Sequence, residues 1–164
     1  MSHPFDALSF GNGAKFIFTA CPGTQDEDLV ASLTTLKAVG TSAVVSLLSD
    51  TEIGVLGVTG LGEEISRQGL AWYQLPIEDD CAPGDDFFEA FALVKTELLD
   101  KMNRGETIVI HCKGGSGRTG LMAAILLLEN GDSWSDIIAQ VQSLRPKALT
   151  LPHHLNFIHT HYSI

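Results

Sequence analysis

One segment of this chain combines a buried strand, a loop of small residues and an apolar helix. The strand is predicted at 107–110 (TIVI) and the helix at 121–128 (LMAAILLL), with a glycine-rich loop between them. Because the backbone N–H groups of such a loop converge at a helix N-terminus, the segment predicts a binding site for an anion. Cys112 lies at the start of the loop and Arg118 at its end. A nucleophilic thiol beside a guanidinium that binds phosphate through two hydrogen bonds predicts cysteine-based hydrolysis of phosphate esters.

The composition indicates a single globular domain over residues 1–164. The chain is 45% hydrophobic and 18% charged, and 164 residues suffice for one domain with a substantial core. Its longest apolar run, 121–128, is too short to span a membrane, and residues 1–6 lack the pattern of a secretory signal. Cys21, Cys81 and Cys112 do not form the pattern of a disulfide framework and fit a reducing compartment. We therefore expect a cytoplasmic protein.

The net charge restricts the partners that the chain can bind. At −10, it lacks the basic surface that nucleic-acid binding requires, and it is disfavoured on anionic membranes. A phosphorylated substrate must therefore be attracted by a local positive site rather than by the field of the whole chain. The sequence leaves the oligomeric state open.

Hydrophobic periodicity and capping signals place strands and helices in alternation. The predicted strands are 15–19, 43–48, 71–75 and 107–110. The predicted helices are one capped by Thr24 and ended by Gly40, then 63–68, 86–103 and 121–130, one capped by Ser133, and one begun by Pro152. The first of these helices is expected to have its first turn at 26–28, and 54–62 is expected to be a loop. The alternation predicts an α/β fold with a central, mostly parallel sheet flanked by helices, and with the Cys112 loop at the carboxyl end of a strand.

The same loop carries a motif with four fixed positions. His111, Cys112, Arg118 and Thr119 match the pattern His-Cys-x5-Arg-(Ser/Thr). This segment resembles the signature of the protein tyrosine phosphatase superfamily, and the chain as a whole resembles its dual-specificity branch, kinase-associated phosphatases above all. The resemblance implies a protein-tyrosine-phosphatase-like fold of the dual-specificity type. It also implies a phosphoric monoester hydrolase that acts on phosphorylated proteins, with phosphotyrosine as substrate and phosphoserine and phosphothreonine as further candidates.

The resemblance implies a role for each residue of the loop. Cys112 is expected to be the thiolate nucleophile that forms a cysteinyl-phosphate, and the Thr119 hydroxyl to stabilise this thiolate when it departs. His111 is expected to hold the loop through its ring. The phosphate-binding set consists of Lys113, Gly114, Gly115, Ser116, Gly117 and Arg118. No metal and no other cofactor is implied.

A second loop, at 76–85, offers the proton donor that the leaving oxygen of a phosphate ester needs. Phosphatases of the dual-specificity type carry their general acid here as Asp-x-x-x-Pro, which Asp79 and Pro83 match. Asp79 is therefore the predicted acid, and Asp80 and then Glu78 are the alternatives.

Further matches and one departure lie outside these loops. Residues 20–23 (ACPG) and the turn Arg145-Pro146-x-Ala148 resemble turns of kinase-associated phosphatases and other relatives. Several superfamily members have a glutamine that positions the hydrolytic water where this chain has His154. Orientation of water and simple packing are both open for this histidine.

Other functions fit parts of the pattern. A phosphate-binding pseudophosphatase that serves as an interaction module is the main alternative, although Cys112, Arg118 and the acid are all present. Residues 115–120 also satisfy G-x-G-x-x-G, but a nucleotide-binding oxidoreductase would need more chain after this motif to build its sheet. An arsenate reductase would carry the loop near its N-terminus, and a tensin-type lipid phosphatase would have a second lysine in place of Ser116.

Two groups of residues have both a functional and an ordinary interpretation. His153, His154, His159 and His161 are expected to be surface and core residues, because no cysteine or carboxylate joins them at metal-ligand spacing. Cys81 is either a redox partner for Cys112 or an incidental small residue. Cys21 is expected to be buried.

Overall fold

A computed structural model describes residues 2–164 and has an α/β fold built on one five-stranded sheet. The strands are β1 (Asp6–Ser9), β2 (Lys15–Thr19), β3 (Thr41–Ser46), β4 (Ala71–Gln74) and β5 (Thr107–His111). Their order in the sheet is β1-β2-β5-β3-β4, with β1 antiparallel to β2 and all other neighbours parallel. The prediction of a central, mostly parallel sheet flanked by helices is confirmed.

The helices surround this sheet. They are α1 (Leu29–Ala38), α2 (Asp50–Val55), α3 (Leu61–Arg67), α4 (Asp85–Asn103), α5 (Gly117–Glu129), α6 (Trp134–Leu144) and α7 (Pro152–Tyr162). Helices α1 and α3 contact each other and strands β3 and β4, whereas α5 contacts β2, β5 and helices α4, α6 and α7. Between residues 2 and 164, no helix has both the length and the apolar character needed to cross a membrane.

The carboxyl ends of four neighbouring strands form a row across the sheet. Thr19 of β2 is in register with His111 of β5, His111 with Ser46 of β3, and Ser46 with Gln74 of β4. Because parallel strands end at the same edge, the loops that follow these residues meet there. This edge carries the candidate site.

The strand–loop–helix segment lies at the centre of the core. Strand β5 is buried along its whole length, and α5 is buried from Arg118 to Leu127. A helix that is apolar on all sides has no face suited to water and is stable only in such a position. Both ends of the Cys112 loop are therefore fixed by packed elements.

The first helix begins later than predicted. Helix α1 starts at Leu29, and its N-cap is Asp28. The Thr24 hydroxyl instead donates to the Cys21 carbonyl at 2.6 Å, so that it closes the turn after β2. Residues 26–28 thus precede the helix, and the prediction that they form its first turn is wrong.

Two elements lie where the sequence did not indicate them. Residues at both ends of the predicted loop 54–62 are helical, because α2 extends to Val55 and α3 begins at Leu61. Strand β1 has four residues at a sheet edge, of which Leu8 alone is buried, so it has no marked hydrophobic pattern. Strand β3 spans Thr41–Ser46 rather than 43–48.

Candidate active site

The Cys112 thiol lies at the base of the loop between β5 and α5 and is 4% exposed. Its Sγ accepts a hydrogen bond from the Gly115 N–H and another from the Thr119 hydroxyl, each at 3.3 Å. The N-terminus of α5, at Gly117, adds a dipole that also favours negative charge. The sulfur therefore lies between two hydrogen-bond donors at the positive end of a helix.

Gly115 brings this loop into direct contact with the end of β2. Its φ is +80°, and a Cβ atom built there would lie 2.4 Å from the carbonyl carbon of Thr19. Arg145 ties the same two segments together, since its Nε donates to the Gly115 carbonyl at 2.8 Å and its Nη2 to the Phe18 carbonyl at 3.2 Å. The position requires glycine because its φ is left-handed and because there is no room for a side chain. The Arg-Pro turn that the sequence singled out thus holds the loop against the sheet.

Arg118 supplies a buried guanidinium whose side chain is 2% exposed. Its Nη1 donates to both carboxylate oxygens of Glu52, at 2.9 and 3.0 Å, and to the Ile77 carbonyl at 2.9 Å. Its Nε is buried and has no hydrogen-bond partner among residues 2–164, with Oδ1 of Asp79 at 3.6 Å. Burial lowers the pKa of Arg118, but the hydrogen bond to Glu52 and the charges of Cys112, Glu52 and Asp79 raise that pKa above its usual value. The guanidinium is a permanent cation with a free Nε edge that suits phosphate.

Glu52 is a site residue that the sequence analysis missed. It lies on α2, which was not predicted, and its carboxylate holds the guanidinium of Arg118 in one orientation. The signal was nevertheless present, because Ser49-Asp50-Thr51-Glu52 fits the Ser-x-x-Glu pattern that begins a helix. Ser49 is indeed the N-cap, and its side chain accepts a hydrogen bond from the Glu52 N–H.

The His111 ring is tied at both nitrogens. Its Nδ1 donates to the Cys112 carbonyl at 3.1 Å, and its Nε2 accepts from the Ser46 hydroxyl, which itself accepts from Trp72 Nε1 at 2.8 Å. Burial lowers the pKa of His111 to about 4. The ring is therefore neutral at physiological pH and joins the Cys112 loop to β3 instead of moving protons.

Three candidate acids lie in the loop after β4, which we call the acid loop (residues 76–84). Glu78, Asp79 and Asp80 belong to a turn that the Cys81 N–H closes on the Glu78 carbonyl at 3.1 Å, with Asp80 at a φ of 60°. Asp79 is the one whose carboxylate reaches Arg118, at 3.6 Å, and its side chain is 68% exposed. The structure thus places Asp79 beside the guanidinium while leaving it open to a substrate.

A cavity of about 590 Å³ adjoins these groups, between α2, the acid loop and the start of α4. Five of the side chains that line it are carboxylates. They belong to Glu52, Glu78, Asp79, Asp85 and Asp86. Its negative lining disfavours a phosphate group within the cavity itself.

The remaining residues of the predicted phosphate-binding set form the rest of the loop. Lys113 and Gly114 are exposed, and Ser116 and Gly117 are half-buried at the start of α5, where Ser116 is the N-cap. The Lys113 carbonyl accepts from the Cys21 N–H at 3.1 Å. Cys21 is fully buried, as predicted, and burial together with the charge of Cys112 raises its pKa to about 12. Its thiol is therefore unreactive at neutral pH.

The C-terminal histidines make packing contacts. His161 stacks on Phe88 and Phe157, and His159 meets the ring of Trp134 edge-on. Within the described residues, no three His, Cys, Asp or Glu side chains come together as a metal-binding group. His154 differs from the others, because it is buried and bonds to the acid loop.

Comparison with protein families identifies the group to which this site belongs. The sequence model of a family described as a polymorphic toxin system, DSP-PTPase phosphatase (Tc-R-P), matches residues 24–132. This match covers most of the chain, including α2, the acid loop and the whole Cys112 loop. The chain belongs to the DSP-PTPase phosphatases. These are phosphoric monoester hydrolases of the dual-specificity and protein tyrosine phosphatase type.

Individual proteins are similar to this chain over different lengths. Cyclin-dependent kinase inhibitor 3 of Rattus norvegicus is 30% identical over 143 residues, which cover 84% of this chain and 66% of the rat protein. Protein tyrosine phosphatase type IVA 3 of Bos taurus is 25% identical over 136 residues, which cover 82% of this chain and 72% of the bovine protein. The matched segment spans 34% of a protein of Invertebrate iridescent virus 3 named as a tyrosine phosphatase, and 53% of one from Dictyostelium discoideum named as type IVA B.

Solved structures of phosphatases share the fold. Kinase-associated phosphatase matches with a TM-score of 0.85 and 21% identity, over 99% of this chain and 96% of that one. The active form of Tk-PTP matches with a TM-score of 0.72 and 22% identity, over 96% of both chains. At this level of identity, the likeness establishes the fold of the dual-specificity type.

Proposed function

We propose that this phosphatase hydrolyses phosphate esters on proteins through a cysteinyl-phosphate intermediate, with Cys112 as nucleophile and Asp79 as general acid. The observation that carries the proposal is the free, buried Nε edge of Arg118, which lies 3.6 Å from Asp79 and in the same loop as the Cys112 thiol. A phosphoryl group bound to this edge has the nucleophile and the acid within one site. That arrangement suits an in-line displacement.

In the first step, the Cys112 thiolate attacks phosphorus. The S–P bond forms while the bond from phosphorus to the ester oxygen breaks. Arg118 and the amides of residues 113–118 stabilise the charge on the equatorial oxygens. Asp79 gives its proton to the leaving oxygen, which departs as a phenol or an alcohol.

In the second step, water attacks the cysteinyl-phosphate. Asp79, now a carboxylate, accepts a proton from this water, and the S–P bond breaks to release inorganic phosphate. The thiolate that departs is stabilised by the Thr119 hydroxyl and the Gly115 N–H, which lie 3.3 Å from the Cys112 sulfur. Protein side chains and water account for every proton and bond in the cycle.

The proposed substrates are phosphotyrosine and also phosphoserine and phosphothreonine in proteins. The exposed residues Lys113 and Gly114 belong to the loop, and the Asp79 side chain is 68% exposed, which supports a site open to short as well as long phosphorylated side chains. The net charge of −10 favours a protein substrate over nucleic acid or an anionic membrane. A cytoplasmic setting belongs to the proposal because a reducing compartment keeps the Cys112 thiol free.

Hydrolysis of p-nitrophenyl phosphate and of a phosphotyrosine peptide under reducing conditions tests this proposal. Cys112→Ser should abolish activity, and rapid quenching of the wild-type reaction should trap a phosphorylated cysteine. Asp79→Asn should lower kcat for the peptide about 100-fold or more, whereas Asp80→Asn, the neighbouring control, should not. A large loss in Asp80→Asn and none in Asp79→Asn would move the acid to Asp80.

A phosphate-binding module is the alternative that this experiment separates. A folded wild-type chain that binds phosphotyrosine peptide without hydrolysing it would overturn the catalytic proposal. The site would then serve to hold a phosphoprotein.

A further inference from the structure

The acid loop is fixed to the rest of the protein on both sides of Asp79. Before it, the Ile77 N–H donates to the Leu47 carbonyl at 3.1 Å, and the Ile77 carbonyl accepts from Arg118 at 2.9 Å. After it, the Cys81 carbonyl accepts from His154 Nε2 at 3.1 Å. The main chain after β3 and the Arg118 guanidinium provide the first attachment, but the second comes from α7, a helix outside the matched family segment 24–132.

His154 is built into this second attachment. It is 1% exposed in the first turns of α7, and the carbonyl acceptor assigns its proton to Nε2. Its Nδ1 is buried and has no partner among the described residues. A buried polar side chain with one satisfied nitrogen costs free energy that a leucine would not, so packing alone does not account for a histidine here.

The turn that His154 holds contains the acid itself. The Cys81 N–H closes this turn on the Glu78 carbonyl, and Asp79 and Asp80 are its central residues. Asp80 has a left-handed φ of 60°, a conformation that costs free energy for a residue with a side chain. A strained turn of this kind keeps one geometry only if its ends are held.

From these contacts we infer that His154 is the positioning residue of the general acid. Its hydrogen bond to the Cys81 carbonyl fixes the turn in which Asp79 stands, and so sets the distance from the acid to the leaving oxygen. This inference rests on the proposed function, because it concerns the proton donor of that reaction. The residue acts through the turn and does not touch the substrate.

Leaving-group dependence separates this role from the other roles open to His154. Proton donation matters little when the leaving group is as acidic as p-nitrophenol and much when it is as basic as tyrosine. Loss of a residue that positions the acid therefore slows the hydrolysis of phosphotyrosine far more than that of p-nitrophenyl phosphate. A residue that orients water acts on the cysteinyl-phosphate, which is the same for both substrates, and so slows its hydrolysis equally.

The experiment compares His154→Leu, His154→Gln and the control His153→Leu, an exposed neighbour on α7, in a series of aryl phosphates. For His154→Leu, we expect kcat/KM to fall about 2- to 3-fold with p-nitrophenyl phosphate and about 30-fold or more with phosphotyrosine. The basic limb of its pH–rate profile, which reports the acid, should become shallow. His154→Gln retains an N–H donor and should recover most of the activity, and His153→Leu should match the wild type.

Three results would overturn the inference while leaving the proposed function in place. They are an equal loss with all leaving groups, a slower decay of trapped cysteinyl-phosphate without a change in leaving-group dependence, and no loss in a folded His154→Leu protein. Thermal unfolding of each variant shows whether it is folded. Should His154→Leu fail to fold, His154→Asn, whose side chain is shorter than that of His154→Gln, takes its place in the comparison with His154→Gln. An inactive wild type would instead contradict the proposed function.

Discussion

Glu52 and Arg118 form a forked ion pair between α2 and α5, in which Nη1 of the arginine lies 2.9 Å from one carboxylate oxygen and 3.0 Å from the other. The arginine side chain is 2% exposed and the glutamate side chain 31%. Because the pair occupies Nη1, the opposite edge of the guanidinium is left for the phosphate group of the proposed substrate. The orientation of the Arg118 guanidinium, the proposed phosphate-binding group, thus depends on a carboxylate that lies 66 positions earlier in the chain.

Loss of the Glu52 carboxylate should weaken phosphate binding. In Glu52→Gln, the guanidinium keeps its charge but loses a charge-assisted bond that fixes its orientation, so kcat/KM should fall about 10- to 100-fold. The dissociation constant for vanadate, a phosphate mimic, should rise in parallel. Thr51→Ala on the same helix is the control, since this residue is exposed. Equal vanadate affinity in Glu52→Gln and wild type would show that the ion pair does not position Arg118.

The buried His111 ring should make the fold less stable in acid. Its pKa is about 4 in the folded protein, mainly because of burial, and 6.5 in the unfolded chain. Between these values the unfolded state binds more protons than the folded state, so the free energy of unfolding rises with pH and is lost as pH falls from 6.5 towards 4. Once the pH is below both pKa values, the loss in free energy of unfolding due to this residue is about 3 kcal/mol. Burial also lowers the pKa values of His3 and His154, which act in the same direction.

Urea unfolding at a series of pH values between about 7.5 and 4.5 measures this effect. The free energy of unfolding of the wild type should fall steeply as the pH is lowered. His111→Asn, whose side chain cannot titrate, should have a lower free energy of unfolding at about pH 7.5 but a shallower dependence on pH. Parallel pH dependences in the two proteins would contradict the assignment of the acid sensitivity to His111.

Local sequence was sufficient to predict the Cys112 loop but not its surroundings. The apolar runs on either side of the loop identified β5 and α5, and turn signals identified the acid loop between β4 and α4. Glu52 escaped prediction because its role depends on an unpredicted helix of six residues, whose carboxylate meets Arg118 only in three dimensions. The contact of His154 with the Cys81 carbonyl escaped it for the same reason, since main-chain acceptors have no signature in sequence.

Edges and boundaries were predicted less well than the core. Strand β1 is short and mostly exposed, so pairing with β2 rather than its own hydrophobicity defines it. The acidic run before α1 looked like a first helical turn, yet the carboxylate of Glu27 accepts hydrogen bonds from the His3 N–H and the Thr35 hydroxyl. A tertiary contact of this kind overrides a local preference that amounts to only about 1 kcal/mol.

Replacement of Arg145 by lysine, although conservative, should destabilise the protein. Its Nε, Nη1 and Nη2 donate respectively to the Gly115 carbonyl, to Asp6 at 2.7 Å and to the Phe18 carbonyl. A lysine presents a single point charge and cannot span these acceptors, so Arg145→Lys should lower the free energy of unfolding by about 1–3 kcal/mol and reduce kcat/KM as well. Arg67→Lys is the matched control, because that side chain is 72% exposed. Equal stability of the two variants would show that the Arg145 contacts contribute little.

Two adjacent glycines of the Cys112 loop should respond differently to the same added methyl group. Gly115 has a φ of +80°, and a Cβ atom there would lie 2.4 Å from the Thr19 carbonyl carbon, whereas a Cβ atom at Gly114 meets nothing within 4 Å. The left-handed backbone and the overlap with main-chain atoms should together lower the free energy of unfolding of Gly115→Ala by about 2–4 kcal/mol, against less than about 0.5 kcal/mol for Gly114→Ala.

The overlap in Gly115→Ala also pushes the loop away from β2, and with it the Gly115 N–H that contacts the Cys112 sulfur. We therefore expect kcat/KM of Gly115→Ala for p-nitrophenyl phosphate to fall further than predicted from its folded fraction, which is measured by urea unfolding in parallel. Equal stability of the two alanine variants would mean that the loop can move off β2 at no cost in free energy, and that its contact with Thr19 does not hold Cys112 in place.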